Sequence, residues 1–339
     1  MKASAPTPTA ISAPSVPQRW SEPERAELRV GVSACLLGQM VRYDGGHCRD
    51  RYLTRDLGAY VEWVPVCPEV EVGMTTPRPT LRLVDGEERE RLLETRSGHD
   101  HTEAMRLWAD RRVRALRALD LDGYVLKRNS PSCGMERVRV HSESGARRDG
   151  VGVFARALME AWPELPIEEE GRLNDPRLRE YFIERLFARS RWRRASEQGW
   201  TRRRLVEFHT QHKLLLRVHD VQSHMRLGRI VASLGKGRDD RFVIEEYERE
   251  FQACMNAKPS VRAHVDVLLH AMGHMKRLLD SNEKRELLVS IEDYRRGILP
   301  LVVPVSLISF QVRKHGIEYL ANQVYFAPHP KELMLRNHC

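Results

Sequence analysis

Between residues 28 and 164, short apolar runs of strand character alternate with stretches of helical periodicity, and beyond about Pro166 the strand signals nearly vanish. Such alternation predicts a parallel α/β sheet, because a parallel crossover needs a connecting segment long enough to be a helix. The strand runs are residues 28–34, 61–66 and 123–127, and the helical stretches are 51–60, 99–119 and 151–162. Residues 80–84 and 89–93 flank Asp85-Gly86, a hairpin signal. Past residue 166 the periodicity is helical over 176–193, 201–234, 240–257, 260–279, 281–296 and 304–316, with start signals at Asn174-Asp175-Pro176 and Lys258-Pro259-Ser260. The expected organisation is an α/β domain over residues 24–165, a parallel sheet with flanking helices, followed by an all-α domain over 166–339. Residues 1–23 are Ala, Pro, Ser and Thr with almost no large apolar side chain, so they predict a disordered tail; they lack the basic region and apolar core of a signal peptide.

Cys35, Cys67 and Cys133 each follow immediately on a predicted strand. Loops leaving the carboxyl ends of strands in an open parallel sheet converge on one crevice, so three thiols far apart in sequence are expected to meet there. Gly38, Gly73 and Gly134 lie beside them, where a missing Cβ lets the backbone approach a bulky inorganic group. Three readings of these thiols stand side by side. They pack as small hydrophobes. They hold zinc, although structural zinc normally takes four ligands, often in Cys-x-x-Cys pairs that this chain lacks. Or they hold an iron–sulfur cluster with one iron left free of protein ligand, the condition for Lewis-acid chemistry.

With 41% hydrophobic and 30% charged residues the chain is too polar for a membrane protein. Its longest apolar stretch, 298–310, is interrupted by two prolines and two serines and falls short of the roughly 18 to 20 residues a spanning helix needs. Six cysteines without short paired spacing point to a reducing cytoplasm rather than a disulfide framework. The net charge of +9 is uneven: residues 172–204 hold eleven arginines against four acids. That stripe suits RNA phosphates or the solvated face of a helix. Ten of the 14 histidines lie from His209 onward. His209, His212 and His219 fall within about 80° of one another on a helical face. Without a glutamate in a spacing such as His-Glu-x-x-His, they predict a polar seam between helices or a ligand pocket ahead of a metal site.

Several stretches resemble a known family. Val32-Ser33-Ala34-Cys35-Leu36-Leu37-Gly38, Val41-Arg42-Tyr43-Asp44-Gly45-Gly46-His47, Val64-Pro65-Val66-Cys67-Pro68-Glu69-Val70, Pro77-Arg78-Pro79 and Lys127-Arg128-Asn129-Ser130-Pro131-Ser132-Cys133-Gly134 look like the thiouracil desulfidase family, the domain of unknown function numbered 523. Phe208-His209-Thr210-Gln211-His212-Lys213, Gly273-His274-Met275-Lys276 and Gln323-Val324-Tyr325-Phe326-Ala327-Pro328-His329-Pro330 resemble the domain numbered 1722, which occurs fused to it. The resemblance implies a [4Fe-4S] cluster held by Cys35, Cys67 and Cys133, its fourth iron open to sulfur from a thiolated nucleobase such as 2-thiouracil. Cys48 falls outside the three-cysteine pattern and reads as incidental.

Converting C=S to C=O without redox requires a thiophilic Lewis acid, an activated water and a proton route. Ser130 and Glu69 lie within three residues of a cluster cysteine and are the first candidates for the last two tasks, Ser130 partly on the resemblance and Glu69 on proximity; Asp44 is the third. Against these roles, Ser130 suits a cap on the Pro131 turn and Glu69 suits an ion pair with Arg78. Arg42, Arg78 and Lys127 suit either an anionic substrate edge or the charge of the cluster. Three functions are carried forward: desulfuration of a free thiolated pyrimidine, an RNA-directed enzyme acting on thiolated tRNA through the arginine stripe, and a non-catalytic iron–sulfur sensor. Because every chemical motif precedes residue 164, a chain ending near Pro166 is expected to fold and bind the cluster.

Overall fold

A computed structural model describes residues 28–338; the expected disordered tail over 1–23 and Cys339 lie outside the described residues. Among those residues the strands are β1 Leu28–Ser33, β2 Val61–Val66, β3 Leu81–Val84, β4 Arg91–Glu94, β5 Gly123–Leu126, β6 Val138–Ser142, β7 Gly145–Gly150 and β8 Ile167–Glu169. They form two sheets. One is wholly parallel in the order β2-β1-β5-β8, and the other runs β4-β3-β6-β7, two antiparallel pairs joined by a parallel β3–β6 contact.

Alternation along the strands divides the parallel sheet between two cores. Leu28, Val30, Val32 and Val125 face one side, and Tyr124 and Leu126 face the other, where α2 (Thr102–Ala118) and α3 (Val153–Ala161), both later in the chain than the short α1 (Pro68–Glu71), cover them. The first side is covered from beyond the α/β half. α4 (Pro176–Glu197) starts at Asp175, whose carboxylate accepts from the Arg177 and Leu178 N–H groups at 2.8 and 3.0 Å, with Pro176 at the first helical position. Phe182, Ile183, Leu186 and Phe187 of this helix pack on β1 and β5, while Ala188 and Trp192 enter the core of the helical half. Residues 178–195 of this helix are all buried or half-buried, so a segment that reads as charged in sequence lies in the interior.

This placement takes part of the arginine stripe out of solvent. Arg189 donates to the Leu121 carbonyl at 2.8 Å, Arg193 clasps the Asp122 carboxylate with two bonds of 3.0 Å, and Arg185 and Arg191 donate to Asn256 and to the Pro328 carbonyl. Arg189 and Arg193 bind the two halves together, while Arg185 and Arg191 bond within the helical half; of the other seven, Arg177, Arg202, Arg203 and Arg204 are exposed and Arg172, Arg179 and Arg194 half-buried.

The helical half continues with α5 (Arg202–His219), α6 (Val221–Ala232), α7 (Asp240–Met255), α8 (Val261–Met275), α9 (Ser281–Arg295), α10 (Val302–Lys314) and α11 (Glu318–Ala321). The single helix expected over 201–234 is two, because Asp220 caps the second by accepting from the Gln222 and Ser223 N–H groups at 3.2 and 2.8 Å. The histidines form a polar seam. His209 meets the Tyr247 hydroxyl at 3.1 Å, His212 the Phe208 carbonyl at 2.7 Å, and His219 bridges the Ala257 carbonyl and Glu184 at 2.6 and 2.7 Å. No helix among the described residues is long and apolar enough to cross a membrane.

One strand lies past the boundary expected at residue 165. β8 pairs with β5 in the register Tyr124↔Ile167, Val125↔Glu168, Leu126↔Glu169, and Glu169 at its end, with Glu170 just after it, reaches back to the loop after β5. A chain ending near Pro166 loses both this strand and the helix that covers the sheet.

Candidate active site

The three cysteines leave three adjacent parallel strands at their carboxyl ends, in the spatial order β2, β1, β5, and with Cys48 they line one cleft of about 470 Å³. β1 sits where the chain turns to opposite sides, with β2 on one flank and β5 on the other, the position at which open sheets bind ligands.

Each loop is fixed by its own sequence. After β1 a 3-10 turn over Ala34–Leu37 presents Cys35 and ends on Gly38, whose φ of 95° is left-handed and suits glycine. The Cys48 N–H then donates to the Cys35 carbonyl at 2.9 Å, drawing the following loop back over the turn. After β2, Cys67 precedes Pro68 at the start of α1. After β5, the Lys127 N–H donates to the Ser33 hydroxyl at 2.9 Å, tying two strand ends together. Ser130 Oγ accepts from the Ser132 and Cys133 N–H groups at 3.2 and 3.0 Å, which sets the turn that delivers Cys133. Gly134 does not open space toward the cleft: a Cβ there would meet Val138 and the Ser130 carbonyl, so its role is packing within the loop.

Among the described residues five cysteines are free, Cys133 and Cys254 buried and Cys35, Cys48 and Cys67 half-buried. Burial pushes the Cys35 thiol up to about 12, with Cys48 adding to the effect. Burial likewise raises Cys67 and Cys133. Thiols so placed keep their protons at neutral pH until a metal group displaces them. Among the described residues no three His, Cys, Asp or Glu side chains close around a single ion. A tetrahedral zinc would need its sulfurs about 2.3 Å from one point. A polynuclear cluster needs each thiol to reach only its own iron, and a donor set of three thiols from three strand ends suits it.

The other expected site residues are distributed unequally. Glu69 and Ser130 line the cleft. Glu69 also makes the ion pair with Arg78, Nε to Oε2 at 2.9 Å, and its Oε1 accepts from the Ser132 hydroxyl at 2.9 Å. Arg78 is buried and donates to the Val41 carbonyl at 2.9 Å, so it fixes Glu69 and the 41–43 loop and has little left for a substrate. Asp44 is not on the cleft wall. It accepts from the Gly46 N–H at 3.0 Å and from Arg42 at 3.4 Å, a turn-forming carboxylate with half its side chain in solvent. Cys48, read as incidental, lines the cleft and accepts from Arg42 Nη1 at 3.0 Å.

Two residues escaped the sequence reading. Glu170 ion-pairs with Lys127 and accepts from the Arg128 N–H at 2.8 Å, and Glu169 accepts from the Met135 N–H at 2.7 Å. Both are buried, and together they grip the loop that carries Cys133 at each end. The available signal was an acidic run, Glu168-Glu169-Glu170, placed directly after an apolar residue.

Residues 30–170 match the model of a family described as 2-thiouracil desulfurase, and residues 213–330 match a protein of unknown function family, DUF1722. The uncharacterized protein YbgA of Escherichia coli is 29% identical over 153 residues, 45% of this chain and 90% of that protein. The uncharacterized protein YbbK of Bacillus subtilis is 33% identical over 149 residues, 42% of this chain and 97% of that protein. A solved structure, the [4Fe-4S]-dependent thiouracil desulfidase TudS, shares 32% identity with a TM-score of 0.37, covering 44% of this chain and 95% of that one. The chain belongs to the 2-thiouracil desulfurase family through residues 30–170, with a DUF1722 region over 213–330.

Proposed function

We propose that this protein is an iron–sulfur-dependent desulfidase that converts the C=S group of a thiolated pyrimidine, such as 2-thiouracil, to C=O with water as the oxygen source and sulfide as the other product. The observation that carries this reading is the set of three thiols from adjacent strand ends lining one cleft, inside the segment that matches the desulfurase family. Cys35, Cys67 and Cys133 would hold a [4Fe-4S] cluster. When bound, it supplies a thiophilic Lewis acid at the iron that has no cysteine and draws electron density from the thiocarbonyl carbon.

The protein's own groups supply the rest. Ser130 Oγ accepts from two backbone N–H groups, which leaves its proton to donate to the departing sulfur or to the base. Glu69 is held by two Arg78 bonds on Oε2 and by Ser132 on Oε1, which keeps a lone pair, so it can orient a water toward the thiocarbonyl carbon and accept its proton. Arg42, Lys127 and Arg128 around the same cleft offset the negative charge of thiolates and sulfide. Free thiols and an oxygen-sensitive group suit a reducing cytoplasm.

The test is turnover by anaerobically reconstituted protein, with uracil and sulfide measured together in water enriched in heavy oxygen. Equal uracil and sulfide, with one heavy oxygen in each uracil, is the expected result. Turnover confined to tRNA bearing a thiolated base would move the substrate to RNA, and cluster binding without turnover on either would leave a sensor.

A further inference from the structure

The helical half holds a second cavity, of about 320 Å³, against the side of α4 that carries Glu180 and Glu184 rather than the phenylalanines on the sheet. That volume is in the range of small-molecule sites. At its opening stand two exposed cations, Arg177 and Lys258, and the amino end of α8, where Ser260 is the cap and Val261 the first residue of a 15-residue helix. Cations beside a helix amino terminus select an anion.

The interior is differently built. Tyr294 is 8% exposed, lines the cavity, and its hydroxyl has no hydrogen-bond partner among the described residues. His264 is equally buried; its Nδ1 meets the Tyr325 hydroxyl at 3.0 Å, and its Nε2 has no partner there. Both atoms open onto the space of the cavity without being sealed from it, so a ligand entering there meets a hydroxyl and a ring nitrogen that can bond it. The Glu180 carboxylate, held by Arg336 at 3.2 Å and His338 at 3.4 Å, faces the same space, and the Tyr181 ring forms part of its wall.

We propose that this cavity is a second ligand site that takes a pyrimidine nucleoside monophosphate. The phosphate sits at the Arg177, Lys258 and α8 opening. The ring carbonyls meet the Tyr294 hydroxyl and His264, the ring N–H donates to Glu180, and the base lies along Tyr181. The site is separate from the thiol cleft and needs no cluster.

Isothermal titration of the full chain with uridine 5′-monophosphate tests this, with uridine and inorganic phosphate as separate probes. Saturable binding of the nucleotide, tighter than either part alone, is expected. Tyr294→Phe and Lys258→Ala should each weaken it about tenfold, the size of one good hydrogen bond, without moving the melting temperature by more than a degree or so. Binding should persist in Cys35→Ala. The proposal is overturned if the nucleotide fails to bind at millimolar concentration, if phosphate alone binds as tightly, if both variants bind like the parent, or if Cys35→Ala abolishes binding.

Discussion

A chain ending at Pro166 removes β8 and α4 while keeping every motif for cluster and chemistry, so it separates what the fold needs from what the site needs. Phe182, Ile183, Leu186 and Phe187 are almost fully buried against Leu28, Val30, Val32 and Val125. At about 1.5–3 kcal/mol for each fully buried large apolar side chain, the four contribute at most about 6–12 kcal/mol. The net stability of a whole domain is only about 5–15 kcal/mol. Loss of Glu169 and Glu170 also frees the Met135 and Arg128 N–H groups and the Lys127 ammonium in the loop that ends on Cys133. The shortened chain should therefore show no cooperative urea transition, should bind a hydrophobic dye, and should fail to retain iron after reconstitution, whereas the full chain does the opposite. A shortened chain with a sharp transition and full iron content would refute the argument that the helical half completes the sheet.

Three further outcomes follow from the same contacts. Cys35→Ala, Cys67→Ala or Cys133→Ala should abolish the brown cluster absorption after reconstitution, while Cys48→Ala and Cys254→Ala should keep it, as read by visible spectra and iron content. Glu170→Gln should lower cluster affinity or turnover about 10–100-fold, the usual effect of losing a group that orients metal ligands, with the melting temperature as control. Asp122→Ala leaves the Arg193 guanidinium, 8% exposed, buried without its two-bond partner and should cost about 3–5 kcal/mol in urea unfolding; Asp122→Leu with Arg193→Met should recover most of it.

The positions of the three thiols were legible because strand termini and cysteines coincide in the sequence, and topology then brings the strand ends together. Helix existence was legible from periodicity, except where a polar residue inside an apolar pattern acts as a cap, as Asp220 does. β7, Gly145–Gly150, was hidden because five of its six residues face solvent and its strand identity comes from pairing with β6. β8 was hidden for the opposite reason: its glutamates are buried, Glu169 against the Met135 N–H far away in sequence. The arginines of α4 misled because charge density cannot distinguish a solvated face from a helix whose guanidiniums are spent on carbonyls and on Asp122. Proximity in sequence placed Glu69 and Ser130 in the cleft and failed for Asp44, whose turn directs it outward.

The central claim is that Cys35, Cys67 and Cys133 hold a cluster in which one iron has no cysteine and meets the substrate. The Mössbauer spectrum of anaerobic, iron-57-reconstituted protein tests it most directly, recorded with and without 2-thiouracil. The account predicts three similar iron sites and one distinct site, with only the distinct site shifting when the thiobase is added. Four equivalent irons unmoved by 2-thiouracil, or full desulfidase turnover in protein that carries no iron, would contradict it.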